Sequence, residues 1–388
     1  MREWLGITPP EFAGIAIVTD EGKPRPQAAV LIDIGKTHTL FHEDGEPYAR
    51  VGGGAYGIVG GEYGEVLSRD YYRLTGKGAN RNALTDAVTT LAAVAKGDGP
   101  ETPVYLRVGE HDGGVVIDSG DAQWSGYRVA ADGWQAVAAL PIHFRRSGKP
   151  LPLPKPTSSD FSRLWKHINV AEEHRVLVAA WLLAALRPRG PYPILAMVAE
   201  QGSGKSHTSR VLKALTDPSA SPLRSPPKNE EDLLVAALSS RVLALDNLSG
   251  LDHRLSDALC RIATGGALSG RKLYTNSEEV LIEIRRPVIL NGIDDISSRP
   301  DLAERCVHVT LPPIYRRKSE AEMQRAFHED SGAIFAALLE GVALALRDVD
   351  RVEIGRLPRM AGFAKWAAAG VPALGFSSDE FIAAYRQN

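Results

Sequence analysis

The stretch "AEQGSGKSHTSRVLKAL", residues 199–215, decides how the rest of the chain is read. Gly202, Ser203 and Gly204 run straight into Lys205 and Ser206. A tight glycine-rich turn aims several backbone N–H groups at one anion, and a helix starting there adds the positive end of its dipole. Lysine then neutralises the β- and γ-phosphates of a nucleotide, and serine holds Mg²⁺. Upstream, "YPILAMVA" (192–199) is a short apolar run that reads as a strand. Downstream, Val211, Leu212 and Leu215 recur at helical spacing. Strand, loop and helix thus stand in the order a phosphate-binding loop requires, and ATP with Mg²⁺ is the expected ligand. One position departs from G-x-x-x-x-G-K-[ST]: Ala199 stands where the first glycine belongs. With negative φ there, alanine costs little; with positive φ, it would strain the loop by about 1 kcal/mol or more.

Such a site needs an acid at the end of a second apolar strand, to bind Mg²⁺ through water. "SRVLALDNLSG" (240–250) supplies it in Asp246, behind Val242, Leu243 and Leu245. The next residue is Asn247, where most hydrolytic proteins of this kind carry a second acid to orient the attacking water. Asparagine can hydrogen-bond a water but is no base, so nucleotide binding is better supported than fast turnover. A third apolar strand, "RRPVILNGI" (285–293), ends in Asn291, in register to sense the γ-phosphate. Arg305, ahead of the strand-like "CVHVTL", is placed either to reach a neighbouring subunit's γ-phosphate or to pair with Asp301 or Glu304.

Between Asp246 and Asn291, "DHRLSDALCRIATGG" reads as a helix stopped by two glycines, and "GRKLYTNSEEVLIEIRR" as a hairpin. Arg271, Lys272 and Tyr274 precede its polar tip. Two readings stand side by side. Cations and an aromatic suit a phosphate backbone and a stacked base. Glu278, Glu279 and Glu283 equally suit a solvated amphipathic hairpin.

The remainder bounds the answer. Of 388 residues, 44% are hydrophobic and 24% charged, an ordinary globular balance with room for two or three domains. A net charge of −2 announces no nucleic-acid binder, so any such surface is a local patch. Cys260 and Cys306, alone and without zinc-ligand spacing, argue against a metal site or disulfide framework and fit a reducing cytoplasm. No signal peptide is evident at the N-terminus, and the longest apolar run, "VLVAAWLLAAL" (176–186), is too short for a bilayer. In the first 150 residues, "AAVLIDIG", "TPVYLRVG" and "GGVVIDSG" read as strands and "RNALTDAVTTLAAVAKG" as a helix. "VGGGAYGIVGG" contains G-x-G-x-x-G at Gly52, Gly54 and Gly57 but lacks a following amphipathic helix, so a flexible loop is the better reading. His38, His42 and Glu43, like Glu110, His111 and Asp112, read as surface turns rather than metal sites. Prolines 150, 152, 154 and 156 mark an extended linker. "RAFHEDSGAIFAALLEGVALALRDV" reads as a C-terminal helix pair.

The order of phosphate loop, "LALDN", "TGGALSGRKLYTNSEEV", "RPVILNGI" and "DLAERCV" resembles the superfamily 3, AAA+ helicase-like ATPases of phage and mobile-element primase-helicases. The resemblance covers roughly 160–380. It implies that Lys205, Ser206, Asp246, Asn291 and Arg305 serve ATP and that the Arg271/Lys272 hairpin grips single-stranded DNA in a ring's channel. It also implies a homo-oligomer, a hexameric ring, working on single-stranded or forked DNA. No acidic metal triad marks a primase in the first 150 residues, so priming would fall to a separate protein. The chain ends at "FIAAYRQN", soon after a helical pattern, as a shortened form would.

The expectation is therefore an α/β protein. An N-terminal α+β module (1–150) leads through a Pro-rich linker and helical segment (151–191) to a P-loop, AAA+-like ATPase core (192–320). That core has a mostly parallel central sheet with helices on both faces, and a helical lid (321–388) follows. The expected function is an ATP-driven DNA helicase or translocase, cytoplasmic and free of membrane. The rival is a regulatory or assembly ATPase that binds ATP, turns it over slowly, and unwinds nothing.

Overall fold

Alternation along "ILAMV" sets the core. In the computed structural model, Ile194 and Ala196 point into one buried cluster while Leu195 and Met197 point into another. A strand buried on both faces belongs inside a parallel sheet. This strand, β10 (Ile194–Val198), pairs in parallel with β14 (Val288–Gly292) on one side and β15 (Cys306–Thr310) on the other. Beyond β14 lies β11 (Leu243–Leu248), giving the order β11-β14-β10-β15. The structure describes residues 10–248, 250–271, 279–292, 299–314, 319–356 and 358–388.

Helices cover both faces of this sheet. Helix α6 (Glu230–Ser239) and α7 (His253–Thr264) contribute Leu233, Leu234, Leu255, Leu259 and Ile262 to the cluster on one side. The other cluster gathers α5 (Lys205–Thr216), α4 (Arg175–Ala185), α9 (Glu320–Asp348), α10 (Ala361–Gly370) and α11 (Ser378–Gln387). Helix α4 is buried from Val176 to Ala185, and its Trp181 indole donates to the Pro193 carbonyl at 2.9 Å. That bond holds the chain where it enters β10. Helix α9 corrects an expectation: it is one helix of 29 residues, not a pair. Its interior glycines mark close packing rather than a break. A Cβ on Gly332 would sit 2.4 Å from the Lys155 carbonyl oxygen, and one on Gly341 would sit 2.7 Å from Leu183.

The chain forms two compact units, and the boundary differs from a single module over 1–150. Residues 106–138 and 146–388 make one unit; 1–105 and 139–145 make the other. The antiparallel sheet β5 (Val108–His111), β6 (Gly114–Asp118), β7 (Gly126–Ala130) and β8 (Gly133–Val137) therefore belongs with the parallel sheet's unit. Its Val108, Val115, Ile117, Tyr127 and Val129 join the cluster around α9, and Tyr127 meets Phe335 edge-on at 5.5 Å.

Nor is the proline-rich segment a free linker. Its Leu151, Leu153, Thr157 and Asp160 donate backbone N–H groups to the carbonyls of Pro218, Ser119, Gly332 and Ala333. It is a strap laid along the larger unit, with Leu153 buried beneath it.

The smaller unit pairs strands in the order β1 (Thr39–Glu43), β2 (Glu46–Val51), β3 (Gly54–Gly57), β9 (His143–Phe144), β4 (Val104–Tyr105). Helices α1 (Gln27–Lys36), α2 (Glu62–Thr75) and α3 (Arg81–Gly97) complete its core. The expected strand "AAVLIDIG" is helix α1: Val30, Leu31 and Ile34 share one buried helical face, a spacing that an alternating strand does not give. The glycines of G-x-G-x-x-G lie in and beside β3, not at a helix start.

Among the described residues, no helix is long and apolar enough to cross a membrane, and no three His, Cys, Asp or Glu side chains converge on a metal position. Cys260 and Cys306 are buried, and neither is in a disulfide.

Gly332→Ala forces the added methyl against a backbone oxygen that the strap cannot easily withdraw. Thermal unfolding should show a loss of about 1–3 kcal/mol, whereas Gly355→Ala, with open space around it, should change little.

Candidate nucleotide-binding site

The quoted loop leaves β10 and enters α5 through two left-handed glycines, Gly202 (φ 83) and Gly204 (φ 89). Gly204 is the N-cap of α5. A side chain there would meet Ile314 at 3.0 Å, so the segment after β15 lies over the loop. Ala199 is not among the residues with positive φ. The missing glycine is therefore unstrained, and the loop keeps left-handed backbone only where glycine stands.

Lys205 folds back over its own loop. Its ammonium donates to the carbonyls of Ala199 and Glu200, the latter at 2.9 Å. Burial pulls its pKa down, and Asp246 opposes that. The lysine thus sits where an incoming phosphate would exchange carbonyl partners for anionic ones. Ser206 donates its hydroxyl to Asp246 at 2.8 Å. Two hard oxygen ligands from the first turn of α5 and the end of β11 face each other, the donor set that Mg²⁺ prefers.

The end of β11 is bulged. Leu245 pairs with Leu290 and Leu248 with Gly292, so Asp246 and Asn247 together oppose Asn291. Asn247 takes a left-handed φ of 60°, which asparagine tolerates better than most residues. Its backbone N–H donates to Asn291 Oδ1 at 2.9 Å, and Asn291 Nδ2 donates to Ser209 Oγ at 3.0 Å. Asn291, expected at the γ-phosphate, is only 1% exposed and spans the interior between the bulge and α5.

Residues that sequence reasoning passed over complete the site. The Asn169 amide donates to the carbonyls of Ser203, at 3.2 Å, and Pro312, tying the loop to the segments on either side. The His207 ring meets the His167 carbonyl at 3.0 Å, and His167 reaches Asp330 of α9 at 2.9 Å. Ser209 lies within the quoted stretch, where helical spacing from Ser206 was the available signal; His207, the next residue, had none. Nothing local marks Asn169.

The far end of α5 is anchored by charge. The Asp217 carboxylate accepts from Lys213 at 2.8 Å and from the backbone N–H groups of Arg241 and Val242 at 3.0 and 3.1 Å. Arg107 stands 3.4 Å away. Burial alone would raise the Asp217 pKa, but Lys213 and Arg107 outweigh it and hold it at about 2. The start of β11 is thereby locked to the helix that carries Lys205.

Arg305 lies just before β15, whose Cys306 is opposite Ile194 at the start of β10, and the Ile194 N–H donates to the Arg305 carbonyl. The loop leaves the other end of β10. Five strand residues span roughly 16 Å, so Arg305 cannot serve its own loop. It pairs with Asp301 at 3.0 Å. The hairpin exists as β12 (Ala267–Arg271) against β13 (Glu279–Glu283), with Arg271 opposite Glu279. Lys272 and Tyr274 fall outside the described residues.

With this geometry in hand, residues 161–388, more than half of the chain, match the family described as "Actinomycete integrative conjugative element replication protein". The chain belongs to that family. Its role is thus replication of a mobile element, here an integrative conjugative one. No curated protein matches the chain. Among solved structures it is similar to the apo form of the NrS-1 C-terminal region, at 12% identity and a TM-score of 0.44, over 81% of this chain and 68% of that one. It is also similar to "SCCmec type IV Cch - active helicase", at 13% identity and a TM-score of 0.44, over 88% of this chain and 71% of that one. Both are distant likenesses.

Two outcomes follow for the site. Ala199→Gly should leave nucleotide affinity within about twofold, measured by titration with a fluorescent ATP analogue, because the position has no strain to relieve. Asp217 has a folded pKa of about 2 against about 3.9 in an unfolded chain. Its contribution is therefore complete above pH 4 and lost as pH falls towards 2. Asp217→Asn should cost about 3 kcal/mol at pH 7, and the gap between variant and wild type should narrow between pH 4 and 2 in denaturant titrations.

Proposed function

We propose that this chain is an ATP-dependent motor that moves on DNA during replication of its element. The observation that carries the reading is the Ser206–Asp246 contact of 2.8 Å, made at the loop end of a parallel sheet ordered β11-β14-β10-β15. The residues fit Mg²⁺ and ATP. Left-handed Gly202 and Gly204 leave the loop free to turn its N–H groups on a phosphate. Lys205 would transfer its ammonium from the Ala199 and Glu200 carbonyls to the β- and γ-phosphates. Ser206 and Asp246 would hold the metal, which when bound supplies charge neutralisation on the phosphate oxygens. Asn247, with an exposed side chain beside Asp246, orients a water without accepting its proton, so turnover is slow compared with a two-acid site.

Arg305, at the end of the sheet remote from its own loop, is suited to act only on a neighbour's nucleotide, which requires a ring and release from Asp301. The hairpin β12–β13 joins α7 to β14, so a shift of β14 on nucleotide exchange would carry Arg271 and Lys272 along a strand of DNA. A second reading has one specific observation in its favour. Asn247 in place of an acid also suits a nucleotide-binding switch that seldom hydrolyses and does not move on DNA.

Steady-state ATP hydrolysis with and without single-stranded DNA separates the two. The motor reading expects several-fold stimulation by DNA. Lys205→Ala should lower the rate at least a hundredfold, and Lys272→Ala should remove the DNA effect alone. ATP binding with a low rate that ignores DNA would establish the switch instead.

A further inference from the structure

Two ties run side by side between helix α5 and the bulge of β11. One is Ser206 to Asp246. The other runs from Ser209 through Asn291 to the backbone N–H of Asn247. Ser206 and Ser209 are three residues apart and therefore share a helix face. The ties differ in what Mg²⁺ would do to them. A metal held by Ser206 and, through water, by Asp246 would bear directly on both ends of the first tie. The second tie contains no metal ligand and survives.

The direction of each bond in the second tie is fixed by chemistry. A backbone N–H can only donate, so Asn291 must present Oδ1 to Asn247. Its Nδ2 is then turned to Ser209, which must accept. Asn291 is 1% exposed and Ser209 is fully buried, so water cannot substitute for either partner. The left-handed Asn247 is the residue whose orientation this chain of bonds holds.

We propose that Ser209 is a positioning residue for the metal–nucleotide site. It would keep the Asp246–Asn247 bulge at a fixed distance from α5 when Mg²⁺ engages Ser206 and Asp246. This inference rests on the ATP-binding reading of the loop. It assigns to a serine beyond the phosphate-loop motif the task of holding the metal ligand in place.

The test compares Ser209→Ala, Ser209→Thr and Asn291→Ala with wild-type full chain. Mn²⁺ binding in the presence of ADP is read directly by electron paramagnetic resonance, and the Mg²⁺ dependence of ATP hydrolysis is read beside it. Ser209→Ala should weaken Mn²⁺ binding about tenfold and raise the half-saturating Mg²⁺ by a similar factor, with nucleotide affinity in EDTA unchanged. Ser209→Thr, which keeps the acceptor, should restore most of the loss. Adding Asn291→Ala to Ser209→Ala should cost little more, because both break one chain of bonds. A Ser209→Ala protein with wild-type Mn²⁺ affinity would overturn the proposal, as would a fall in melting temperature with no change in metal affinity. Failure of the wild-type chain to bind nucleotide at all would instead overturn the reading of the loop.

Discussion

Strand β10 shares backbone hydrogen bonds with a parallel neighbour on each side, and every group at the site is placed by that arrangement. Its C-terminal end delivers the loop, β14 delivers Asn291 beside it, and β11 delivers Asp246 one strand further on. Parallel strands that start level also finish level, so three chemically different residues, far apart in sequence, meet at one edge. The same geometry sends Arg305 to the opposite edge, because it precedes its strand where the others end or follow theirs.

Helix α5 converts that edge into a site by being held at both ends. Asp217 locks its last turn to the start of β11 through Lys213 and two backbone donors. Ser206 directly, and Ser209 through Asn291 of β14, hold its first turns to the end of the same strand. A helix pinned to one strand at two levels cannot slide along it. Asn169 and Ile314 restrain the loop from the other side.

The sequence carried much of this, and the reasons are local. Gly202, Gly204, Lys205 and Ser206 form a contiguous motif whose backbone needs no partner to be read. Asp246 and Asn291 were legible because each ends a short apolar run. The bulge was not, since two residues facing one is a property of pairing and leaves no mark on either strand alone. Asn291 was expected at the phosphate; its hydrogen bonds to the bulge and to Ser209, made across the interior, left no mark in the sequence. "AAVLIDIG" misled because a run of eight mostly apolar residues satisfies both strand and helix, and only its burial on one face decides. Asn169 gave no signal, because its partners are carbonyls of distant segments. The small antiparallel sheet was visible as strands, yet its attachment to α9 depends on Tyr127 finding Phe335, a contact between remote positions.

The strap from Pro150 to Asp160 has a consequence of another kind. Leu151 and Leu153 spend their N–H groups inward, on Pro218 and Ser119. The residues that alternate with them are Pro150, Pro152 and Pro154, which have no N–H to offer. An extended segment lying on a protein surface would ordinarily invite a second chain to pair along it. From Pro150 to Pro154 this one has no N–H group left with which to do so. The molecule therefore carries, over residues 150–154, a length of extended backbone that offers no N–H group to a second copy.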